Sequence, residues 1–216
     1  MRILFTLNSL RKGGIEKATL DTARALSDNG HTVTILTFNN TRDQATTDND
    51  HIVCVHSESR CTIDNYIKKL NSEYSFDLII HTRHSIRTPW FPNTFYIIHN
   101  VLSERLPPRK KYIKRWLKIR QHHNQLDHQN LICVSNAVKE DIKKMGLNPT
   151  SNVVIPNIYD IDRILRLSAE FIPDISYNYA ISVGSFNPVK RHDILLKAFA
   201  MQNALKNLVI IGSGGS

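Results

Sequence analysis

Residues 2–38 read RILFTLNSLRKGGIEKATLDTARALSDNGHTVTILTF, and this stretch decides the fold. The continuous apolar run at 3–7 is typical of a buried strand. A loop with a glycine pair follows it, and from residue 15 the apolar positions recur at helical spacing until Asn29 and Gly30 end the helix. The β-branched run at 32–38 is a second strand. A strand, a helix and a strand in this order predict a βαβ unit with parallel strands.

The same alternation continues along the chain. Apolar runs predict strands at 52–55, 78–80, 95–98, 131–134 and 153–155, and helical patterns predict helices at 64–70, 107–126, 136–145 and 160–167. Because the strand runs are continuous and not alternating, both faces of the sheet should be covered by helices. We therefore predict an α/β domain over residues 1–168, built on a doubly wound parallel sheet.

A change in composition marks a linker at 169–178 and a second domain at 179–216. The second domain begins with a predicted strand at 180–183, a helix at 188–200 and a strand at 208–211. A doubly wound sheet usually has about five or six strands. We therefore expect an incomplete second domain, whose remaining part is missing from these 216 residues.

The composition is that of a globular protein, with 41% hydrophobic and 22% charged residues. No apolar run approaches the roughly 20 residues of a membrane-spanning helix, and the first residues do not have the pattern of a signal peptide. Three cysteines are typical of reduced thiols in a cytoplasmic protein. A net charge of +9 favours an anionic partner: a phosphate-bearing substrate, a membrane surface or nucleic acid.

The turn after the first strand contains Gly13 and Gly14. In a parallel sheet this turn lies at the carboxyl edge of the strands, where ligands bind. Glycines let the backbone approach a ligand closely, and the free N–H groups of the helix that follows attract an anion. An ordinary flexible turn is the alternative, and the spacing excludes a dinucleotide-binding fingerprint.

His99 and Asn100 follow the strand at 95–98 and should face the same edge. A neutral imidazole can exchange hydrogen bonds with a sugar hydroxyl or transfer a proton. A surface or capping histidine is the alternative. The remaining histidines, including His81 and His84, match no closed set of metal ligands, so we expect no metal site.

Three further positions come from strand ends and turns. Ser135 follows the strand at 131–134, where it can cap the next helix or contact a substrate. Asn157 lies in the corner that closes the strand at 153–155. Lys190 falls in the first turn of the predicted helix 188–200, where the helix dipole disfavours a cation unless an anion such as a diphosphate binds there. A solvated surface lysine is the alternative.

Five segments of the chain, taken in order, resemble the motifs of the GT-B-fold glycosyltransferases, in particular the large retaining family four. These segments are residues 13–16, 99, 134–135, 154–157 and 183–190. The resemblance implies two Rossmann-like domains, the second incomplete here, and no metal or cofactor. It implies a hexosyltransferase that moves a sugar from a nucleotide-sugar donor to an acceptor hydroxyl with retention of configuration. The family's paired-glutamate segment is not contained in residues 1–216, so we expect this chain alone to be inactive.

The resemblance also assigns residues. His99 and Lys190 are the expected catalytic residues, and the expected substrate-binding residues are Gly13, Gly14, Asn100, Ser135, Asn157 and Ser185. Ser185 stands where the family usually has an arginine, so Lys190 should carry more of the charge opposite the donor diphosphate.

A basic stretch at 109–120 has no acidic residue. Its cations include Arg109, Lys110, Lys111, Lys114, Arg115 and Lys118, and Tyr112, Ile113, Trp116 and Leu117 lie between them. This pattern predicts a basic amphipathic helix on an anionic membrane surface or beside a lipid-linked acceptor. Alternatively, the apolar stripe packs on the sheet and the charges are solvated. Since no nucleic-acid motif is present, we do not expect nucleic acid to bind.

The basic helix favours a glycan or lipid-linked acceptor in cell-envelope polysaccharide or lipopolysaccharide synthesis. We expect a cytoplasmic protein, peripheral on the inner face of the membrane. The alternatives are a nucleotide-sugar epimerase of similar fold and a noncatalytic membrane-docking module. A nicotinamide-dependent oxidoreductase is a more distant alternative, because its glycine fingerprint is missing.

Overall fold

The structure is a computed structural model that describes residues 1–11, 13–41, 43, 46, 51–175, 177–212 and 214. It divides into two compact units, Met1–Asp160 and Ile161–Ser216.

The first unit is built on a seven-stranded sheet. Its strands are β1 (Arg2–Leu7), β2 (Thr32–Thr37), β3 (His51–Cys54), β4 (Leu78–His81), β5 (Thr94–Ile98), β6 (Asn130–Cys133) and β7 (Ser151–Val154). They lie in the order β3-β2-β1-β4-β5-β6-β7, and every neighbouring pair is parallel. The prediction of a doubly wound α/β domain with a Rossmann-like sheet is confirmed.

Four helices connect the strands: α1 (Gly14–Asp28), α2 (Arg60–Tyr74), α3 (Tyr112–Leu126) and α4 (Asn136–Lys144). The helix predicted at 64–70 is a full turn longer at its carboxyl end, where Ser75 adopts a left-handed φ of 51°. The helix predicted from residue 107 begins only at Tyr112. A separate 3-10 turn, Arg109–Lys111, precedes it after Pro108, since proline favours an extended backbone before a new turn.

The core follows the alternation of side chains along the strands. In β1, Ile3 and Phe5 pack with Leu20 of α1 on one face of the sheet. Leu4 points to the other face and packs with Ile63 of α2. Each fully buried side chain of this size stabilises the fold by roughly 1.5–3 kcal/mol. These contacts fix the position of β1, whose carboxyl end leads into the turn with Gly13 and Gly14.

A chain of hydrogen bonds crosses the middle of the sheet. His81 Nδ1 lies 2.8 Å from Thr6 Oγ1, and its Nε2 lies 3.1 Å from Thr88 Oγ1. Thr88 Oγ1 lies 2.9 Å from Thr94 Oγ1, which donates to the carbonyl of Phe91. Burial lowers the pKa of His81 to about 3, so the imidazole is neutral. His81 is thus a structural residue of the core.

The second unit contains α5 (Ile161–Ala169), β8 (Tyr179–Val183), α6 (His192–Ala200) and β9 (Asn207–Ile211), with β8 and β9 parallel. The helix predicted at 188–200 is broken, because Pro188–Lys190 form a 3-10 turn and Arg191 has a left-handed φ of 47°. The helix α5 groups with this unit, and the domain boundary at residue 168 stays a prediction.

Candidate active site

The connections of the sheet reverse direction between β1 and β4. From β1 the chain proceeds outwards to β2 and β3, whereas from β4 it proceeds the other way to β7. The two carboxyl ends remain joined, since Thr82 donates to the carbonyl of Thr6 from its N–H at 3.2 Å and from Oγ1 at 2.9 Å. In doubly wound sheets, ligands bind outside the strand ends at such a reversal.

A cavity of about 270 Å³ opens at this edge. We call it the switch-point cavity. Its wall is formed by Ile15 of α1, by Thr82, His84 and Ser85 after β4, by Ile97, His99, Asn100, Leu102 and Arg105 in and after β5, and by Lys118, Gln121, His122 and Gln125 of α3. The sheet topology thus brings the loops after two neighbouring strands together with one face of α3.

His99 lies in this wall, directly after β5, and its Nε2 is buried without a hydrogen-bond partner in the described part of the chain. Burial lowers the pKa of His99 to about 4, and the nearby His84 lowers it further. The imidazole is therefore neutral near pH 7. In that state one ring nitrogen can donate to a substrate hydroxyl and the other can accept.

Two more histidines line the cavity. His84 Nε2 lies 3.4 Å from the carbonyl of Ile97, so this nitrogen donates. Burial lowers the pKa of His84, and Lys118 and Arg105 add to the effect. His122 is buried on α3 and neither of its ring nitrogens has a partner among the described residues. Its pKa falls to about 4, mainly through burial and then through Lys118.

The charges on the wall all have one sign. Arg105 and Lys118 are its cations, and no Asp or Glu occurs among the described residues that line it. Lys118 Nζ donates to Gln121 Oε1 at 3.1 Å. Although Lys118 belongs to the predicted basic surface, the structure places it in the switch-point cavity with His99 and Asn100.

Gly13 and Gly14 begin α1, directly before Ile15 of the cavity wall. A methyl group at Gly14 would meet nothing within 4 Å, so the space beside it is open to a ligand. A methyl group at Gly13 would overlap the carboxylate of Glu16, which folds back over it. An anion at this helix end would have to displace or accommodate that carboxylate.

Two other predicted site residues lie outside the cavity wall. Ser135 caps α4, since its Oγ accepts from the N–H of Val138 at 3.3 Å. The predicted capping role is confirmed, and a substrate contact stays a prediction. Asn157 is half-buried after β7 and does not line the cavity.

In the second unit, the side chain of Lys190 lies over Gly184. A methyl group on Gly184 would be 3.5 Å from Lys190 Cδ. Ser185 Oγ accepts from Asn187 Nδ2 at 2.7 Å. Lys190 lies in the 3-10 turn Pro188–Lys190, directly before the N-cap residue of α6, so its predicted placement in the first turn of one continuous helix is wrong. A role for Lys190 and Ser185 in binding phosphate stays a prediction.

The apolar stripe of α3 is exposed. Tyr112, Ile113, Trp116 and Leu117 are exposed at 72%, 56%, 55% and 53%, and only His122 and Leu126 of the helix are buried. The alternative in which the stripe packs on the sheet is therefore wrong. Arg109, Lys110, Lys111 and Lys114 are exposed beside it, and half-buried Arg115 donates from Nη1 to the carbonyl of Pro107 at 3.1 Å.

The polar residues of the cavity wall that the predicted site lacks are Thr82, His84, Ser85, Arg105, Gln121, His122 and Gln125. On α3 a signal for them existed, since Lys118, His122 and Gln125 recur at helical spacing as a polar stripe. Ser85 lies in a loop and Arg105 in the 3-10 turn Ser103–Arg105, and both segments are too short for a periodic pattern to show which side chains point inwards.

The described residues contain no group of three or more His, Cys, Asp or Glu side chains placed to hold a metal ion. Within the same part of the chain, every helix is too short or too polar to span a bilayer.

Sequence and structure comparisons identify similar proteins. The family model of Glycosyltransferase Family 4 matches residues 12–163. A comparison with curated proteins gives no match.

Three solved structures illustrate the similarity in fold. HepE from Anabaena, in complex with UDP-glucose, has a TM-score of 0.66 and 17% identity, over 99% of this chain and 61% of HepE. WaaG, a glycosyltransferase involved in lipopolysaccharide biosynthesis, has a TM-score of 0.64 and 16% identity, over 99% of this chain and 64% of WaaG. An alpha-glucosyltransferase in complex with UDP and a 13-mer DNA has a TM-score of 0.57 and 17% identity, over 97% of this chain and 55% of that one. The chain thus spans about six-tenths of the length of such proteins.

Proposed function

The chain belongs to glycosyltransferase family 4, and from this premise we propose that the protein containing it transfers a hexose from a nucleotide-sugar donor to an acceptor hydroxyl, with retention of configuration. The observation that carries the proposal is the switch-point cavity, where the neutral His99 has a buried nitrogen that finds no partner among the described residues. A sugar hydroxyl there would supply the missing hydrogen bond.

His99 and Asn100 bind and orient the reacting sugar or the acceptor in this proposal. Because the imidazole is neutral near pH 7, it can share a hydroxyl proton without placing a positive charge beside the developing positive charge of the sugar. A bound metal is not part of the proposal.

The leaving nucleoside diphosphate needs positive charge and N–H donors as the sugar bond breaks. We assign this role to Lys190 and Ser185, and to the backbone at Gly13 and Gly14, where the open space beside Gly14 lets a phosphate approach. Ser135 and Asn157 are assigned to substrate at their strand ends. The complex of HepE with UDP-glucose supports a nucleotide-sugar as the donor class.

The acceptor in this proposal is a glycan or lipid-linked sugar of the cell envelope, modified at the cytoplasmic face of the membrane. The exposed side chains of Trp116 and Leu117, flanked by lysines on the same helix, would insert at an anionic lipid surface. The role of WaaG in lipopolysaccharide biosynthesis supports the class of pathway. Nucleic acid is not among the proposed partners.

The experiment is a transfer assay on the protein that contains this chain, with a set of nucleotide-sugars and an extract of envelope lipids and glycans. We expect release of a nucleoside diphosphate together with an acceptor heavier by one hexose. His99→Gln should lower kcat by about 10²-fold or more while the fold is kept. Residues 1–216 alone should give no turnover.

A nucleotide-sugar epimerase remains the alternative in the same fold. It would interconvert nucleotide-sugars in the same assay without any acceptor. That result, or full-length protein without turnover on any donor, would reject the transferase proposal, and the second outcome would favour a noncatalytic membrane-docking module.

A further inference from the structure

The wall of the switch-point cavity has polar groups with unmet hydrogen bonds. Four buried side-chain atoms have no partner among the described residues, namely Ser85 Oγ, His99 Nε2 and both ring nitrogens of His122, and all three of these residues belong to this wall. His122 is only 6% exposed. A buried polar group left unpaired costs about 1–3 kcal/mol, so the wall is suited to a polar ligand.

The sign of the charge on the wall narrows the class of ligand. Arg105 and Lys118 have no carboxylate opposite them among the described lining residues. After burial, Lys118 also lowers the pKa values of His84 and His122, although the Ile97 carbonyl opposes the shift at His84 and the Asp141 carboxylate opposes it at His122. A phosphate or carboxylate would neutralise these cations and form charge-assisted hydrogen bonds, whereas a neutral sugar would not.

A second hollow adjoins the switch-point cavity and is also lined by cations. It has a volume of about 550 Å³ and shares Ser85, Gln121 and Gln125 with the switch-point cavity. Its cations are Arg60, Arg87 and Arg120, and its described lining has no acidic residue either. The two hollows together form a basic groove with amide side chains between the cations, which suits a chain of sugars that carries negative charge.

We infer that the switch-point cavity binds an acidic sugar of the acceptor, with its phosphate or carboxylate between Arg105 and Lys118 and in hydrogen-bond contact with His122. This inference rests on the proposed function, because it names the acceptor class of that site. The amides of Gln121 and Gln125 bind hydroxyls of the same sugar, and the second hollow receives the next sugars of an acidic glycan.

The test compares three probes that share one ring: glucose, glucose 6-phosphate and glucuronate. Each is titrated into the chain without nucleotide-sugar, with affinity from calorimetry and site from the imidazole NMR signals of His99 and His122. We expect both charged sugars, or one of them, to bind at least tenfold more tightly than glucose and to shift the His122 signals. Whichever of the two charged sugars binds more tightly identifies phosphate or carboxylate as the recognised group.

The test variants are Lys118→Met, which keeps the aliphatic stem, and Arg105→Gln, which serves if the first variant does not fold. Either should remove most of the preference for the charged probes. Lys144 is an exposed lysine on α4, and Lys144→Met is the matched control, which should keep the preference for the charged probes.

The inference is overturned if glucose binds as well as its charged analogues, or if a folded Lys118→Met keeps the preference. It is also overturned if UDP alone shifts the His122 signals in a Lys118-dependent way, since the anion would then belong to the donor. Transfer to neutral acceptors only would reject this inference and leave the proposed function intact. Conversely, tight binding of an acidic sugar by a protein without turnover would reject only the proposed function.

Discussion

The carboxylate of Asp141 on α4 accepts a hydrogen bond from the backbone N–H of Leu102 at 2.7 Å. The same oxygen accepts from the N–H of Ser103 at 3.1 Å. Asp141 is buried, and Leu102 lies between the His99–Asn100 pair and Arg105. One carboxylate therefore fixes the loop that carries four residues of the cavity wall, His99, Asn100, Leu102 and Arg105.

Replacing Asp141 should loosen this loop. Asp141→Asn keeps the shape but removes the charge that strengthens both hydrogen bonds, so we expect a loss of about 1–3 kcal/mol in the free energy of unfolding. Urea denaturation measures it, and NMR should show the His99 signals displaced. Glu140→Gln, at the exposed neighbouring position, is the control. Equal stability of the two variants would contradict the anchoring role.

Much of this arrangement could be predicted from the sequence, because buried parallel strands are continuous apolar runs. The strands at 3–7, 78–80 and 95–98 fixed the carboxyl edge, and with it the position of His99. The anchoring by Asp141 could not be predicted, since it joins residues 39 positions apart and nothing in the local pattern marks a buried carboxylate. The break at Arg191 in the helix predicted at 188–200 could not be predicted for a related reason, because no local sequence pattern indicates a left-handed φ at an arginine.

The cavity itself could not be predicted from the sequence, and the reason is geometric. His122 contributes to it only because α3 presents one polar face to the loops after β4 and β5, while its apolar residues Trp116 and Leu117 face outwards. An apolar stripe usually points to the core. In α3 the apolar stripe and the buried residues lie on different sides of the helix, so the sequence pattern alone could not indicate which side faces the sheet.

The buried histidines should make the first unit sensitive to acid. His81 has a pKa of about 3 in the folded protein, against an ordinary value of 6.5. As the pH falls below 6.5, the unfolded chain takes up the proton first, so stability is complete above this pH and declines towards pH 3. His81 alone should cost about 2 kcal/mol between pH 6.5 and 5, and His99 and His122 act in the same direction.

Urea denaturation at several pH values measures this decline. His81→Asn should be less stable at pH 7, because the hydrogen bonds to Thr6 and Thr88 are disturbed, but its stability should fall less steeply with acid. His56→Asn, at an exposed histidine with a left-handed φ that asparagine tolerates, is the control. An unchanged pH slope in His81→Asn would show that the buried imidazole does not cause the decline.

In the second unit, Gly212 is required by a close approach of two chain segments. A methyl group there would overlap the carbonyl of Gly184, whose own N–H donates to the carbonyl of Ile211 at 2.9 Å. Gly212→Ala should separate these segments at a cost of about 1–3 kcal/mol. Amide exchange at Gly184 should then accelerate. Gly214→Ala, where a methyl group would be 4.0 Å from Phe186 Cβ, should leave the exchange unchanged.

The exposed stripe of α3 gives the proposed membrane surface a direct test. The protein is mixed with vesicles of phosphatidylcholine, with or without phosphatidylglycerol, and binding is followed by sedimentation and by the blue shift of tryptophan fluorescence. Each lysine near an anionic surface contributes about 1 kcal/mol, so replacing Lys110, Lys111 and Lys114 by alanine should weaken binding by about 100-fold. Trp116→Ala should weaken it as well, because the aromatic ring inserts at the interface.

Ile155→Ser removes an exposed apolar side chain elsewhere on the first unit and should bind vesicles like the unmodified protein. Binding should require the anionic lipid and fall as salt is added, since the lysines act through charge. A DNA duplex of the same charge concentration serves as a competitor. If it displaced the protein from the vesicles, the basic helix would be a general polyanion surface and the prediction that nucleic acid does not bind would be wrong. If the protein bound neither type of vesicle, the prediction of a membrane surface on α3 would be wrong.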